Sequence, residues 1–233
     1  MATVILARHG RTAANATGVL AGRTPGVRLD EVGTRQAEEA AARLGGLPLA
    51  AAVTSPLERC KDTAAILLRG TGVRARVERN LTECDYGEWT GRPMKELVKE
   101  DLWKVVQAHP AGVQFPGGEA MAQMSARAIR AVRSWDARVA ETSGDDAVWL
   151  AVAHGDVIKA ILADALGVHL DAFQRIVVDP ASLSVVRYTP QRSYVLAMNT
   201  LEGSLAHLAR QTEAPEEKLG GGAGASVASP RSP

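Results

Sequence analysis

Three short apolar runs, at residues 3–7, 49–54 and 147–153, constrain this chain more than any other feature. Each suits a strand buried on both faces of a parallel sheet, and each leads, directly or after a loop, into residues at helical spacing. After the first run comes a polar, Gly-rich loop through Pro25 and Gly26. Residues 30–44 then repeat alanine and apolar positions at helical period, with Asp30 as N-cap and Gly45-Gly46 as the stop. After the second run, Ser55-Pro56 offers an N-cap and a first-turn proline for a helix reaching about residue 68. Residues 73–77 read as a third, weaker strand. A helix over 156–166 follows the run at 147–153.

The chain ends its ordered pattern with β-rich segments at 183–188 and 194–198 around Pro190, which predict a hairpin at the sheet edge. The fold class expected is α/β: a three-layer α/β/α sandwich whose mostly parallel central sheet has an antiparallel edge. Residues 81–118 break the alternation, with glycines and prolines bracketing a helix over 94–108, and a long amphipathic helix over 119–141 follows. The organisation predicted is one domain over 1–210 with a cap inserted at about 84–118. A disordered tail occupies 211–233, where GGGAGASVASPRSP lacks the apolar content to offset the entropy of ordering.

Composition narrows the partners. The 27 Lys+Arg nearly balance 26 Asp+Glu, so no global basic field draws the chain to nucleic acid or anionic lipid. No stretch approaches the roughly 20 apolar residues that span a bilayer, and the N-terminus lacks the basic lead-in and apolar core of a signal peptide. Cys60 and Cys84 stand without a paired framework, as suits a reducing compartment. These features predict a cytoplasmic protein acting on a small molecule, without nucleic acid or membrane; they are compatible with a homodimer.

In open α/β sheets ligands bind beyond the carboxyl ends of the strands. Past the first run lie Arg8-His9-Gly10-Arg11-Thr12 and then Asn15; past the second, Thr54-Ser55-Pro56 and Arg59; past the late one, His154-Gly155. Two histidines and two arginines thus meet at one edge. Guanidinium forks and helix N-termini both suit an oxyanion, with phosphate the leading candidate.

Arg8-His9-Gly10-x-Thr12-x-x-Asn15, Thr54-Ser55-Pro56-Leu57-x-Arg59-x-x-x-Thr63-Ala64 and His154-Gly155 resemble, in order and spacing, the histidine phosphatase superfamily, also called phosphoglycerate-mutase-like. The resemblance covers residues 3–208. It implies that His9 is the nucleophile, that Arg8, Asn15, Arg59, His154 and Gly155 hold phosphate, and that His154 belongs to the catalytic set. It implies hydrolysis of small phosphate monoesters through a phosphohistidine, with no cofactor and no metal.

A leaving oxygen needs a proton, and Leu81-x-Glu83-x-x-x-Gly87-x-Trp89-x-Gly91 resembles the family segment whose glutamate supplies it. Glu83 is therefore preferred over Asp85 and Glu88. Two positions depart from the family: Asp156, where a second glycine is frequent, and Thr90. Asp156 either disfavours acidic substrates at the pocket mouth or caps its helix. Arg23 is a candidate substrate contact against the alternative of a solvated charge. Glu119 is either a loop residue near substrate or a first-turn helix charge. Trp89, Met94, Trp103 and Phe115 either line the cap or fill the core. His109, His169 and His207 have no ligand-like spacing.

The segment from Glu83 to Glu119 is short for a clamp that would exclude water from a mutase, which favours a hydrolase over a phosphomutase. A phosphate-binding pseudoenzyme is the third reading, opposed by the intact set of His9, Arg8, Arg59, His154 and Glu83.

Overall fold

A computed structural model describes residues 1–206 and 208. His207 and the tail expected at 211–233 lie outside the described residues. Six strands form one sheet: β1 (Thr3–Arg8), β2 (Leu49–Thr54), β3 (Ala75–Val77), β4 (Val148–Ala153), β5 (Leu183–Tyr188) and β6 (Ser193–Thr200). Their order is β3-β2-β4-β1-β5-β6. The first four are parallel, while β5 and β6 run antiparallel as the edge hairpin.

The α/β expectation holds because the central strands bury both faces. Along β1, Val4 and Leu6 join one core cluster while Ile5 and Ala7 join another. Along β4, Trp149 and Ala151 alternate in the same way with Leu150 and Val152, as the two-residue period of a strand requires. The helices are α1 (Ala13–Thr17), α2 (Glu31–Leu44), α3 (Glu58–Leu67), α4 (Met94–Leu97), α5 (Asp101–Ala108), α6 (Met121–Ser143) and α7 (Gly155–Ala165). Leu44 of α2 and Leu67 of α3 cover one face, and Met124 of α6 and Ile158 of α7 the other.

Several boundaries move for physical reasons. Ser55 does not cap α3, which starts at Glu58 after Leu57 without a side-chain cap; the Ser55 hydroxyl is instead buried against His154 Nε2 at 2.8 Å. The helix expected over 94–108 is two. Leu97 and Val106 are both buried, yet at about 100° per residue a straight helix would place them on opposite faces. The break at 98–100 lets both reach the core. Glu119 precedes α6, whose first residue is Met121, so it is a loop residue and not a helix charge.

Gly33 lies in the first turn of α2, where alanine would be the better helix former. A Cβ there would stand 2.0 Å from Arg11 O, and one on Gly10 would stand 2.3 Å from Gly33 O. Helix propensity yields to a close approach that presses the loop after β1 against α2. Gly33→Ala is expected to lower unfolding free energy by about 1–3 kcal/mol, the usual overpacking cost, as chemical denaturation would measure.

Candidate active site

Register decides which side chains meet. Arg8 pairs with Ala153 across β1 and β4, and Thr54 with Val152 across β2 and β4. The next residues, His9, His154 and Ser55, therefore leave the sheet together, with His9 N donating to Ala153 O at 3.0 Å and Ser55 N to Val152 O at 2.9 Å. The rings of His9 and His154 meet edge-on with centroids 5.3 Å apart.

His9 is fixed in one tautomer. Its Nδ1 donates to Gly10 O at 2.8 Å, and Arg59 Nε donates to its Nε2 at 3.3 Å, so the Nε2 lone pair faces the guanidinium. Burial, then the charges of Arg59 and Arg8, hold its pKa well below 6.5, which leaves the ring neutral at pH 7. Gly10 is itself anchored, its N–H donating to Thr63 Oγ1 at 3.1 Å.

The two arginines are anchored by carbonyls. Arg59, only 2% exposed, donates from Nη2 to Gly22 O at 2.7 Å, and Arg8 donates from Nη1 to Val178 O at 2.6 Å. Arg59 Nη1 and Arg8 Nε are buried without a hydrogen-bond partner. A buried charged donor left unmatched is costly, so such atoms point to a ligand acceptor.

Glu83 is 8% exposed. One carboxylate oxygen accepts from Cys84 N at 2.9 Å, and the other lies 3.9 Å from His154 Nδ1. Burial, followed by the Asp156 carboxylate, pushes its pKa up to about 7. His154 is fully buried and held neutral by burial and by the Arg59 charge. Cys60 Sγ approaches it at 3.4 Å, but burial pushes that thiol up to about 12, so it is no nucleophile at neutral pH.

These groups open on a cavity of about 470 Å³. Arg8, His9, Asn15, Arg59, Glu83, Trp89 and Gly155 line it, as do Met94, Trp103 and Phe115. His154 stands behind His9 and is not part of the wall. Asn15 Oδ1 accepts from Thr12 N and Thr12 Oγ1 at 3.1 and 2.9 Å, so only its amide NH₂ is left to face an anion. Arg23 and Glu119 do not line the cavity; they pair with each other at 2.8 Å.

That pair belongs to a brace that sequence reasoning missed. Arg127 of α6 donates to Thr82 O at 2.7 Å, to Glu83 O at 3.1 Å and to Glu119 Oε1 at 2.6 Å, and Arg23 Nε adds a bond to Glu83 O at 2.9 Å. The same loop is stitched to residues 116–119. Glu119 N donates to Asp85 O and Glu88 N to Pro116 O, both at 2.9 Å, and a Cβ on Gly87 would stand 2.0 Å from Pro116 O. In the sequence Arg127 looks like any other arginine of a long helix. Tyr86 was equally silent; its hydroxyl donates to Asp156 Oδ2 at 2.8 Å.

A mostly parallel sheet that gathers a neutral, buried histidine and two buried guanidiniums at its carboxyl edge defines an anion-handling α/β protein. The chain belongs to the histidine phosphatase superfamily (branch 1), whose family model matches residues 4–201. A bifunctional protein of Mycobacterium tuberculosis is 34% identical over 194 residues, 79% of this chain but 50% of that protein. The chain thus spans about half the length of the relatives of that kind. The probable phosphoglycerate mutase GpmB of Yersinia enterocolitica is 31% identical over 213 residues, 89% of this chain and 95% of that protein. Among solved structures, a mycobacterial glucosyl-3-phosphoglycerate phosphatase matches with TM-score 0.75 at 26% identity, covering 85% of this chain and 98% of its own. Among the described residues, no helix is long and apolar enough to cross a membrane. Nor, among them, do three or more His, Cys, Asp or Glu side chains group as metal ligands.

Proposed function

We infer that the protein hydrolyses small phosphate monoesters in two steps through a phosphohistidine on His9. The observation that carries this reading is the pair of orphaned donors, Arg59 Nη1 and Arg8 Nε, beside a neutral imidazole whose Nε2 carries no proton and faces the Arg59 guanidinium.

In the first step the Nε2 lone pair of His9 forms the N–P bond while the ester P–O bond breaks, and protonated Glu83 gives its proton to the leaving alkoxide. Arg8 and Arg59, with the Asn15 amide and the Gly155 N–H at the start of α7, take the phosphoryl oxygens as charge shifts among them. In the second, ionised Glu83 takes a proton from water, the water oxygen bonds to phosphorus and the P–N bond breaks. Inorganic phosphate leaves, and neutral His9 and protonated Glu83 are restored. A carboxyl group near pKa 7 suits both duties at neutral pH. The insertion at 84–118 would cap the leaving group. His154 would act from behind, keeping Glu83 and His9 in place.

Incubation with a panel of phosphate monoesters in chelator-treated buffer tests this. Release of inorganic phosphate is expected, with an acid-labile, base-stable phosphoryl label on the protein during turnover; absence of both overturns the reading. Resemblance to GpmB favours one second reading, a phosphomutase. Isomerised product in place of free phosphate would select it.

A further inference from the structure

We propose that the substrate is a phosphate monoester whose leaving alcohol is bulky and apolar or aromatic and carries no second anionic group. This deepens the phosphatase reading of the same site and rests on it.

The cavity is larger than its phosphate end needs. At roughly 30 Å³ per heavy atom, water's share of the liquid, the five heavy atoms of a phosphate group, its ester oxygen included, fill about a third of the 470 Å³. The remaining wall includes Leu20, Trp89, Met94, Trp103, Phe115 and Ile176. Trp89 and Trp103 stack at 27° with centroids 6.3 Å apart, and Trp89 meets Phe115 edge-on at 5.5 Å. Such a pre-built aromatic wall rewards a flat or branched apolar group without having to be ordered by it.

The cavity's charges argue against a second anion. Beyond Arg8 and Arg59, Lys159 is the remaining cation among the described residues that line it, and it is already engaged. Its Nζ donates to Gln174 Oε1 at 3.1 Å and lies 3.6 Å from Asp156 Oδ1. Asp156 is itself part of the wall, its other oxygen held by Tyr86. A substrate carboxylate or second phosphate would meet a carboxylate that has already claimed the lysine. Like charges facing each other across a pocket discriminate against the substrate that brings the second one.

Phenethyl phosphate, glycerol 3-phosphate and 3-phosphoglycerate share a primary alkyl leaving oxygen, so their kcat/KM ratios read the cavity and not the intrinsic reactivity. Wild type is expected to prefer phenethyl phosphate to glycerol 3-phosphate by about 10–200-fold, the range that apolar pocket contacts provide. It should use 3-phosphoglycerate still less well, by about a further 10-fold, from the unpaired charge. Trp103→Ala should shrink the first ratio and Asp156→Asn the second. Comparing ratios within one variant cancels any change that Asp156→Asn makes to the acidity of Glu83. Turnover of 3-phosphoglycerate equal to or above that of phenethyl phosphate, with phosphoryl label on His9, overturns the substrate class while leaving the phosphatase reading intact. No turnover of any of the three and no label overturns both.

Discussion

His9→Ala is expected to lower kcat/KM for any accepted phosphate ester by about 10⁴-fold or more, the scale on which loss of a nucleophile removes a covalent route, and to abolish protein-bound phosphoryl label. The loss should be nearly complete because no neighbour can stand in. His154 is set behind His9 with its Nε2 against Ser55, and the Cys60 thiol is held protonated by burial. Binding should survive. Arg8 and Arg59 keep their carbonyl anchors at Val178 and Gly22, and removal of the imidazole takes away the acceptor that Arg59 Nε now faces. The variant should therefore bind inorganic phosphate at least as tightly as wild type in calorimetry. A His9→Ala protein that still turns over, or that still carries label, would remove His9 from the chemistry.

Glu83→Gln should lower kcat by about 10²–10⁴-fold, the usual range for a general acid–base group, and should change the pH profile as well as its height. With a pKa near 7, the wild-type acid form is lost as pH rises through neutrality, so the step that protonates the leaving group weakens on the alkaline side. Glutamine carries no such proton, and that limb should vanish. A stability signature accompanies it. The carboxyl pKa is raised from 4.5 to about 7 by folding, so between those values the native state binds more protons than the unfolded chain. Stability from this group therefore falls as pH rises across that window. Glu83→Gln should gain on wild type by up to about 3 kcal/mol between pH 4.5 and pH 7, at 1.36 kcal/mol per pKa unit. Equal pH dependence of denaturation for the two proteins would show that Glu83 ionises as it does in water.

The legible parts of this molecule were those governed by short-range pattern. β1 and β4 announced themselves because burial on both faces leaves them unbroken apolar runs, and the strand ends then located His9, Arg59 and His154. Asp30 was readable as a cap because capping is local; its Oδ1 accepts from Gly33 N at 2.7 Å. Residues whose partners lie far along the chain were opaque. Ser55 looked like a cap because nothing local reveals that it faces His154, 99 positions away. Arg23 was open between a substrate contact and a solvated charge because its tie to Glu83 O spans 60 residues. The split between α4 and α5 followed from where the core needed Leu97 and Val106, which helical spacing cannot report. Asp156 was open between two readings in sequence and meets both in the fold: it lines the cavity, bound to Tyr86, and stands in the first turn of α7.

The stitching of residues 85–88 to 116–119 closes the segment between them at its root. What lies between, α4 and α5 with their connections, begins and ends at neighbouring residues, so changing the length of those connections alters closure entropy only slowly and leaves the brace on Glu83 in place. The enclosed segment can then change while Glu83 keeps its place beside His154. For the engineer, Glu88 and Pro116 mark the graft points.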